Sequence, residues 1–353
     1  MKIKKLLPFF ILCLFLQNCK KQNISPNTSN VEIGNTLPFE NDFLKIEETS
    51  TTTPMLIERI HFFDEIIGNC IMLDGRIFKT KDKGVNWSNT YINPLSNFKL
   101  TDLTFIDKKV GFAVGGGADG LILKTIDGGD TWNVVKRIPQ SDILSITKGD
   151  NNILYATNLF FTGQGPANAS TKILKSTDLG QTWDSIASIK IYPQRMTCNG
   201  ETVFVTGGIG LGKIFKGTNG GRTWKETVLD TMAYTTEIEF KNGVGYCLAN
   251  NQSLFKTIDN GENWVKVYNG RSNSLRMALL SENTCFLFGV GRKLNVNSDY
   301  SNRLSVYKLT IDAGKNWQEV ESRDIGFYAN HFFNDKMGYI SNRDRRLVKI
   351  TLK

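Results

Sequence analysis

One short sequence motif, here called the tryptophan phrase, recurs six times along the chain and contains every tryptophan. No other feature constrains the fold as strongly. Its second copy, residues 123–132, reads LKTIDGGDTW. Every copy places an Asp, or once an Asn, five residues before the Trp. The six pairs are Asp82 and Trp87, Asp127 and Trp132, Asp178 and Trp183, Asn219 and Trp224, Asp259 and Trp264, and Asp312 and Trp317. The 230 residues from Trp87 to Trp317 contain five steps, so the average period is 46 residues, which is typical of β-propeller blades.

Each phrase is predicted to be the turn of a β-hairpin, because short apolar strands flank it. The Asp carboxylate can accept hydrogen bonds from backbone N–H groups of the turn, and the Gly can adopt a positive φ. The Trp opens the next strand and can cover the turn with its apolar face. We therefore predict a structural role for these Asp residues. Asn219 is expected to make the same turn bonds, although it could not act as an acid.

A second pattern precedes each phrase: an apolar strand, an acidic or Asn turn, and then a Gly-aromatic strand. It occurs once more after the last Trp, at residues 330–340, with no phrase behind it. Six complete units and a truncated seventh predict an all-β fold, a seven-bladed β-propeller over residues 43–353. Because open sheet edges are a liability, we expect residues 42–48 to pair with 347–352 and close the ring.

The N-terminal segment, residues 1–18, has the pattern of a secretory signal. Three lysines are followed by an apolar run, Leu6 to Leu16, that is too short to span about 30 Å of hydrocarbon. The next residues, LQNC at 16–19, resemble the lipobox of bacterial lipoproteins, which implies a diacylated Cys19 at the mature N-terminus. The alternative is cleavage elsewhere, which would leave a soluble secreted protein. Residues 19–42 are predicted to form a flexible tether from the membrane.

The tryptophan phrase resembles the Asp-box, or bacterial neuraminidase repeat, and the resemblance covers essentially the whole of residues 43–353. Such repeats occur in sialidases, xyloglucan-active endoglucanases and sortilin-type receptors. The sequence of residues 105–115, FIDKKVGFAVG, followed by that of residues 123–132, is most similar to the repeats of photosystem II assembly-factor propellers. The resemblance implies the fold strongly and the function weakly, because one fold hosts many functions.

Three arginines are the candidate binding residues. Arg59, Arg195 and Arg276 each begin the first strand of their units, so a propeller would place them at one height around its axis. They could form a basic mouth that grips a carboxylate or phosphate. The alternative interpretation is that they form ion pairs with Glu58, Glu237 or Asp102.

No catalytic residue is identified by motif. Glycosidases need two carboxylates across a bound sugar. The sialidase-like triplet Arg-Ile-Pro occurs at 137–139, but it follows the second phrase, whereas in sialidases it precedes the first. We therefore predict a non-catalytic binding or assembly scaffold in the cell envelope, with outer-membrane anchoring favoured. A glycan-active hydrolase that uses the central channel is the alternative, and two facing carboxylates in that channel would favour it.

The composition limits the metals, cofactors and partners that the protein is expected to bind. The chain has 2 His and 6 Cys, too few suitably placed ligands to predict a metal site or another cofactor. His61 and His331 are expected to pack as a pair between the first and seventh units. The net charge is +9, and removal of the signal segment with its three lysines would leave 9 − 3 = +6. This charge favours anionic headgroups, an acidic glycan or an acidic protein partner, and no nucleic acid is expected outside the cytoplasm. The lysines before the phrases are expected to form a solvated rim: Lys79, Lys124, Lys175, Lys216, Lys256 and Lys308.

Overall fold

The computed structural model describes residues 30–33, 39–49, 53–92, 98–270, 275–292, 303–322, 327–342 and 345–353. The signal segment 1–18 and Cys19 lie outside these residues. Within the described ranges almost all regular structure is β-strand, with two short 3₁₀ helices at Asp150–Asn152 and Pro166–Asn168. None of the helices in these ranges has the length and apolar character needed to cross a bilayer.

Thirty strands follow one another along the described chain. Three precede the first repeat unit: β1 (Asn30–Ile33), β2 (Phe39–Glu40) and β3 (Leu44–Glu48). Units one and two contain β4 (Ile57–Phe62), β5 (Gly68–Met72), β6 (Ile77–Thr80), β7 (Ser88–Tyr91), β8 (Lys99–Phe105), β9 (Gly111–Gly116), β10 (Asp119–Thr125) and β11 (Asn133–Pro139). Units three and four contain β12 (Asp142–Lys148), β13 (Leu154–Phe161), β14 (Ala169–Ser176), β15 (Asp184–Ile189), β16 (Pro193–Asn199), β17 (Thr202–Gly207), β18 (Gly212–Thr218) and β19 (Thr223–Asp230). The remaining units contain β20 (Thr235–Lys241), β21 (Val244–Ala249), β22 (Ser253–Thr257), β23 (Val265–Asn269), β24 (Leu275–Leu279), β25 (Cys285–Arg292), β26 (Arg303–Thr310), β27 (Gln318–Ser322), β28 (Phe327–Phe332), β29 (Met337–Asn342) and β30 (Leu347–Leu352).

The strands form an all-β propeller of antiparallel repeat units. Units one, four and five are separate four-stranded sheets, β4–β7, β16–β19 and β20–β23. The first strands of the units, β4, β8, β12, β16, β20, β24 and β28, contact one another in that order, and β28 returns to β4. These are the innermost strands, and they surround the propeller axis.

The hydrogen bonding differs in one respect from the expected seven separate blades, because the second and third units share one eight-stranded sheet. The link is the pairing of Asp142 with Gly116. A Cβ atom at Gly116 would lie 2.0 Å from Asp142 Oδ1, so only glycine permits this approach of the two backbones. The described strands therefore form six hydrogen-bonded sheets.

The N-terminal strands complete the last two units. Strand β3 pairs antiparallel with β30, from Leu44 beside Leu352 to Glu48 beside Val348, which confirms the predicted pairing. Strand β2 adds to the outer side of β3, and β1 adds in parallel to β27 of unit six. Both β1 and β2 lie in the range expected to be a tether. They occupy sheet edges whose N–H and C=O groups would otherwise lack strand partners.

The core consists of apolar layers between neighbouring sheets. The second strand of a unit packs on both faces, so every residue of β5 and β9 is buried, and these strands lack the alternating pattern of a half-exposed strand. Aromatic edges meet in the layers, with ring centroids 5.9 Å apart for Phe105 and Trp132 and 6.4 Å apart for Phe112 and Trp183. We call the turn formed by each tryptophan phrase a box turn. These tryptophans thus pack the box turns against the core.

The box turns use their Asp carboxylates as the sequence predicts. In the second unit, Asp127 Oδ1 accepts bonds from Thr125 Oγ1 at 2.7 Å and from the backbone N–H of Thr131 at 2.9 Å, and Oδ2 accepts from Thr131 Oγ1 at 2.6 Å. Burial opposes ionisation, but these bonds outweigh it and lower the pKa of Asp127 to about 2. The carboxylate therefore stays ionised and bonded within the turn, as a structural role requires.

The Asn219 turn is built differently, and the expectation that Asn219 makes the same bonds is wrong. Its side chain makes no hydrogen bond to any residue in the described part of the chain, and Gly217 replaces the hydroxyl-bearing residue. The backbone N–H groups of Gly221 and Arg222 instead donate to the carbonyl of Thr218, and Asn219 adopts φ 52°. Asn tolerates this left-handed conformation well, which explains its presence.

The two kinds of turn predict different losses of stability. Asp127→Ala leaves several donors of the turn without their acceptor, so the free energy of unfolding should fall by about 1 to 3 kcal/mol. Asn219→Gly removes no side-chain bond and keeps a residue that tolerates positive φ, so it should change stability by less than about 0.5 kcal/mol. Urea denaturation of both variants tests this, and equal losses would contradict it.

The lysines before the boxes are not a solvated rim, as had been expected, because five of them reach the box turn of the next unit. Lys79, Lys216 and Lys308 are less than a tenth exposed. The five contacts are Lys79 Nζ with Asp130 Oδ2 at 3.0 Å, Lys124 Nζ with Leu179 O at 2.7 Å, Lys175 Nζ with Gly220 O at 3.2 Å, Lys216 Nζ with Glu262 Oε1 at 2.6 Å and Lys256 Nζ with Ala313 O at 3.5 Å. One lysine therefore joins the neighbouring units at each of these five junctions.

Candidate functional site

The three predicted arginines meet at one end of the innermost strands. Arg59, Arg195 and Arg276 lie near the starts of β4, β16 and β24. For Arg59 and Arg195, an irregularity in the strand register comes just before the arginine. Asp102 and Glu237 occupy the matching register positions of β8 and β20. We call the end of the propeller where the innermost strands begin the arginine end, and the opposite end, which carries the box turns, the box end.

Asp102 connects three of these strands. It is 4% exposed, and its Oδ2 accepts from Ser145 Oγ at 2.7 Å and from the backbone N–H of Ile146 at 3.1 Å. Its Oδ1 lies 2.9 Å from Arg195 Nη1 and 3.5 Å from Arg59 Nε. One buried carboxylate therefore compensates two guanidinium groups and also caps the free edge of β12.

The other acids complete an alternating arrangement of charge. Arg276 Nη1 lies 2.6 Å from Glu237 Oε1, and its Nη2 lies 3.9 Å from Glu58 Oε1. Arg59 Nη1 lies 3.1 Å from the same oxygen of Glu58. Three arginines are thus matched by three carboxylates. The structure favours the ion-pair interpretation over an uncompensated basic mouth.

The protonation of this cluster follows from burial and its neighbours. Burial, followed by the charges of Arg195 and Arg276, lowers the pKa of Arg59 to about 10. Burial would raise the pKa of Glu237, but the charges of Arg276, Arg195 and Arg59 outweigh it, and the pKa is lowered. Arg59, Arg195 and Glu237 are therefore charged at neutral pH.

A small cavity of about 60 Å³ lies among these side chains, and Tyr328 and Asn330 also line it. The side chains of Arg195 and Arg276 are 26% and 30% exposed, whereas Arg59 is more deeply buried. A guanidinium carries five N–H donors. In the described part of the chain, the side chains of Arg195 and Arg276 each donate one hydrogen bond. Both groups can therefore bond a further acceptor.

Glu239 lies on the same strand as Glu237, two residues further toward the box end, and was not identified from the sequence. Its Oε2 accepts from the backbone N–H of Leu279 at 2.7 Å, which joins β20 to β24. Burial and the neighbouring charge of Glu237 raise its pKa to about 7, against the opposing hydrogen bond. The sequence signal was the spacing of Glu237 and Glu239, because alternate residues of a strand share a face. Only the fold shows that this face is buried.

The other predicted residues fall away from this cluster. His61 and His331 pack as expected, with ring centroids 4.8 Å apart, and Phe63 and Phe105 lie beside His61. The triplet 137–139 lies in β11, the outermost strand of its unit, where Arg137 pairs with Asp119. Among the described residues, no three or more His, Cys, Asp or Glu side chains are grouped so as to hold a metal ion.

A second cavity, of about 200 Å³, lies at the box end beside the irregular turn of Asn219. Lys175, Tyr155 and Arg222 contribute to its lining, together with Asp150 and Glu201. Positive and negative side chains are both present, so the cavity has no single charge preference. Its position, far from the arginine end, separates it from the candidate site.

Comparison with known proteins supports the fold and identifies the family. The profile of the family described as photosynthesis system II assembly factor YCF48 matches residues 79–305. No curated protein matches the chain.

Solved structures resemble the whole propeller. A structure described as YCF48 bound to D1 peptide is 17% identical, with a TM-score of 0.63, and the match covers 89% of this chain and 99% of that one. YCF48 from Cyanidioschyzon merolae is 15% identical, with a TM-score of 0.62 and coverage of 87% and 98%. The GH74 xyloglucanase from Xanthomonas campestris is 8% identical, with a TM-score of 0.60 and coverage of 86% and 55%. At these identities the structures show a shared fold, whereas the family profile matches well over half of the sequence: the chain belongs to the photosystem II assembly factor YCF48 family.

Proposed function

We propose that this protein is a non-catalytic scaffold that binds a protein partner at the arginine end of the propeller and is anchored to a membrane through a lipidated Cys19. The observation that carries the binding site is the meeting of three guanidinium groups around one cavity. A carboxylate of the partner, from an acidic side chain or a chain terminus, is the group that fits the free donors of Arg195 and Arg276.

The family relationship supports a protein partner. The YCF48 structure with a D1 peptide is a complex of a related propeller with a peptide. The arginine end also suits a peptide, because exposed apolar side chains lie there on units three and four: Phe161, Ile209, Leu211 and Met232. An extended segment of the partner could place a carboxylate at the cavity and apolar side chains against these exposed residues.

The proposed architecture is a ring of seven blades. Seven innermost strands contact one another in a closed order. In this interpretation the eight-stranded sheet is two blades that touch at Gly116, and β3 completes the last blade. The ring holds the three arginines at one height.

The proposed anchor rests on the sequence of residues 1–19. A signal segment followed by a lipobox-like LQNC places a diacylated Cys19 in the cell envelope, and the outer membrane is the favoured location. Metabolic labelling with a palmitate analogue should mark the protein and should fail in Cys19→Ser. Equal labelling of both would contradict the anchor.

A glycan-active hydrolase is less well supported. Glu237 and Glu239 are near neighbours on β20, and Glu239 has the raised pKa of a possible acid. Glu237, however, is bonded to Arg276, and Glu239 to the backbone of Leu279. Neither carboxylate faces the other across an open space in which a sugar could bind. An acidic glycan remains a second ligand class for the same arginines.

Peptide binding tests the proposal directly. The probe is a set of fluorescent acidic peptides, each prepared with a free C-terminal carboxylate and with an amide. We expect the peptides with more carboxylates to bind more tightly. Arg276→Lys keeps a charge beside Glu237 but loses the planar pair of donors, so it should weaken binding about tenfold.

The matched control is Arg137→Lys, since Arg137 also pairs with an Asp but lies in β11, away from the axis. It should leave affinity unchanged. Circular dichroism checks that both variants are folded. If Arg276→Lys and Arg137→Lys bind every peptide as the unaltered protein does, the arginine end is not the binding site.

A further inference from the structure

The N-terminal strand determines where the chain leaves the propeller. Strand β1 runs parallel to β27, with Asn30 beside Glu319 and Ile33 beside Ser322. Strand β27 begins directly after the last box turn and runs toward the arginine end. The chain before Asn30 therefore meets the propeller at the box end of unit six.

The distance from this point to Cys19 is limited by the chain. Eleven residue steps separate Cys19 from Asn30, and a fully extended chain spans at most about 3.6 Å per step, so Cys19 lies within roughly 40 Å of Asn30. If Cys19 carries the acyl chains, the membrane lies within that distance of the box end. The arginine end lies about 23 Å from the box end, which is the length of a seven-residue strand.

The tips of the box turns expose large apolar side chains. Ile126, Ile258 and Ile311 stand directly before the box Asp of units two, five and six, and they are 68%, 76% and 65% exposed. Val85 and Leu179 in two other box turns are each 40% exposed. Five of the six box turns thus present an aliphatic group at the same end of the ring. Nothing in the turn chemistry requires it, since Lys81 takes the place before the Asp in unit one.

We propose that the box end is a membrane-contact face, on which Ile126, Ile258 and Ile311 insert into the outer part of the bilayer that holds the acyl chains of Cys19. This inference rests on the proposed anchor. Units five and six are neighbours and unit two is on the far side of the ring, so three separated contacts can hold the propeller axis upright on the surface. We take the lipid surface as the occupant of this face, because the chain that leads to Cys19 leaves the propeller at the box end.

The physical gain is the removal of exposed aliphatic surface from water. Full burial of an isoleucine side chain is worth about 1.5 to 3 kcal/mol, and partial insertion at the interface a fraction of that. Three such contacts are too weak to bind the protein alone, but they are sufficient to orient one that is already anchored. The box carboxylates do not oppose this, because the turn supplies their hydrogen bonds, as it does for Asp259.

This orientation also accounts for the position of the candidate site. With the box end on the bilayer, the arginine end points away from the membrane. The cavity of Arg59, Arg195 and Arg276 is then accessible to a partner that approaches from the aqueous side. A partner embedded in the same membrane would have to reach over the propeller.

A fluorescent probe at each end tests the inference. The lipidated protein with Cys198→Ala receives one new cysteine, Ile258→Cys at the box end or Met232→Cys at the arginine end, and is labelled with an environment-sensitive nitrobenzoxadiazole dye. Cys70, Cys247 and Cys285 are fully buried and should not react. On reconstitution into phosphatidylcholine vesicles, the dye at 258 should gain at least twofold in emission with a blue shift. The dye at 232 should not change.

Matched substitutions give the control. Ile126→Ser with Ile311→Ser should reduce the gain of the probe at 258 by at least half, whereas Leu73→Ser with Ile209→Ser at the arginine end should leave it intact. If the protein floats with the vesicles but both probes respond equally, or neither does, the anchor stands and the contact face is refuted. Failure to float refutes the anchor and, with it, this inference. A gain at 258 that needs added membrane proteins would show that the face binds a protein and not lipid.

Discussion

Replacing Asp102 by Asn should lower the free energy of unfolding by about 3 to 5 kcal/mol, the largest loss expected for any single substitution in the arginine cluster. Asn keeps the size of the side chain and an oxygen for Ser145 and Ile146. It removes the charge that faces Arg59 and Arg195. Two guanidinium groups are then left buried with one less compensating charge, and they already repel one another.

Urea denaturation monitored by tryptophan fluorescence measures this loss. The control is Asp74→Asn, since Asp74 pairs with Arg76 in a partly exposed turn, and surface pairs of this kind contribute about 0 to 1 kcal/mol. A loss of 1 kcal/mol or less in Asp102→Asn would mean that the cluster does not hold the arginines in place. The peptide-binding site would then need another structural basis.

The packed pair of half-buried histidines, His61 and His331, should make the protein less stable as the pH falls below 6.5. Burial, and for His61 also the charge of His331, lowers the pKa of His61 to about 3, and burial lowers the pKa of His331 to about 4. In the unfolded chain both histidines protonate near the ordinary histidine pKa of about 6.5. Between pH 6.5 and about 4 the unfolded state therefore binds more protons, and the unfolding free energy falls as the pH falls.

The magnitude follows from the size of the shifts. Each pKa unit corresponds to about 1.4 kcal/mol, and pH 4.5 lies about two units below the unfolded pKa, so the loss between pH 7 and pH 4.5 should be on the order of 5 kcal/mol for the pair. His61→Gln with His331→Gln removes both titrating groups. Urea denaturation at the two pH values should show a smaller loss in this variant than in the unaltered protein, although its carboxylates titrate as before. Parallel losses would show that the histidines do not cause the acid sensitivity.

Local chemistry made much of the fold predictable. The box turn is defined by residues within a ten-residue window, so the role of Asp127 as an acceptor of backbone N–H bonds could be assigned from the sequence. The structure added its hydroxyl partners, Thr125 and Thr131. The closing strand was also predictable, because the chain contains a unit without its last strand and one alternating segment to complete it. The error at Asn219 came from treating an Asn as a copy of the Asp, although Gly217 had already removed the hydroxyl partner that the turn needs.

The site was only half predictable. The place of the three arginines could be predicted, because equivalent positions in a repeat fall at one height. Glu58, Glu237 and Asp102 were named as alternative ion-pair partners, and the structure pairs the arginines with these carboxylates. Which carboxylate meets which arginine could not be assigned, since Arg195 meets Asp102 from 93 residues earlier in the chain. Glu239 was missed for a similar reason: its raised pKa comes from burial between units. The sequence predicts that the lysines before the box turns are solvated, because no local pattern shows that the next unit covers them.

The sequence by itself determined the repeat, the hairpin turns, the all-β propeller and the strand that closes it, because each depends on residues close in the chain or on a regular period. Only the tertiary structure decided which charges are compensated, which lysines are buried, where two sheets merge at Gly116 and from which end the N-terminal chain departs. The physical reason is that these properties arise at the junctions between units. There, side chains that are about 40 or more residues apart share one buried space, and burial sets both their charge and their partners.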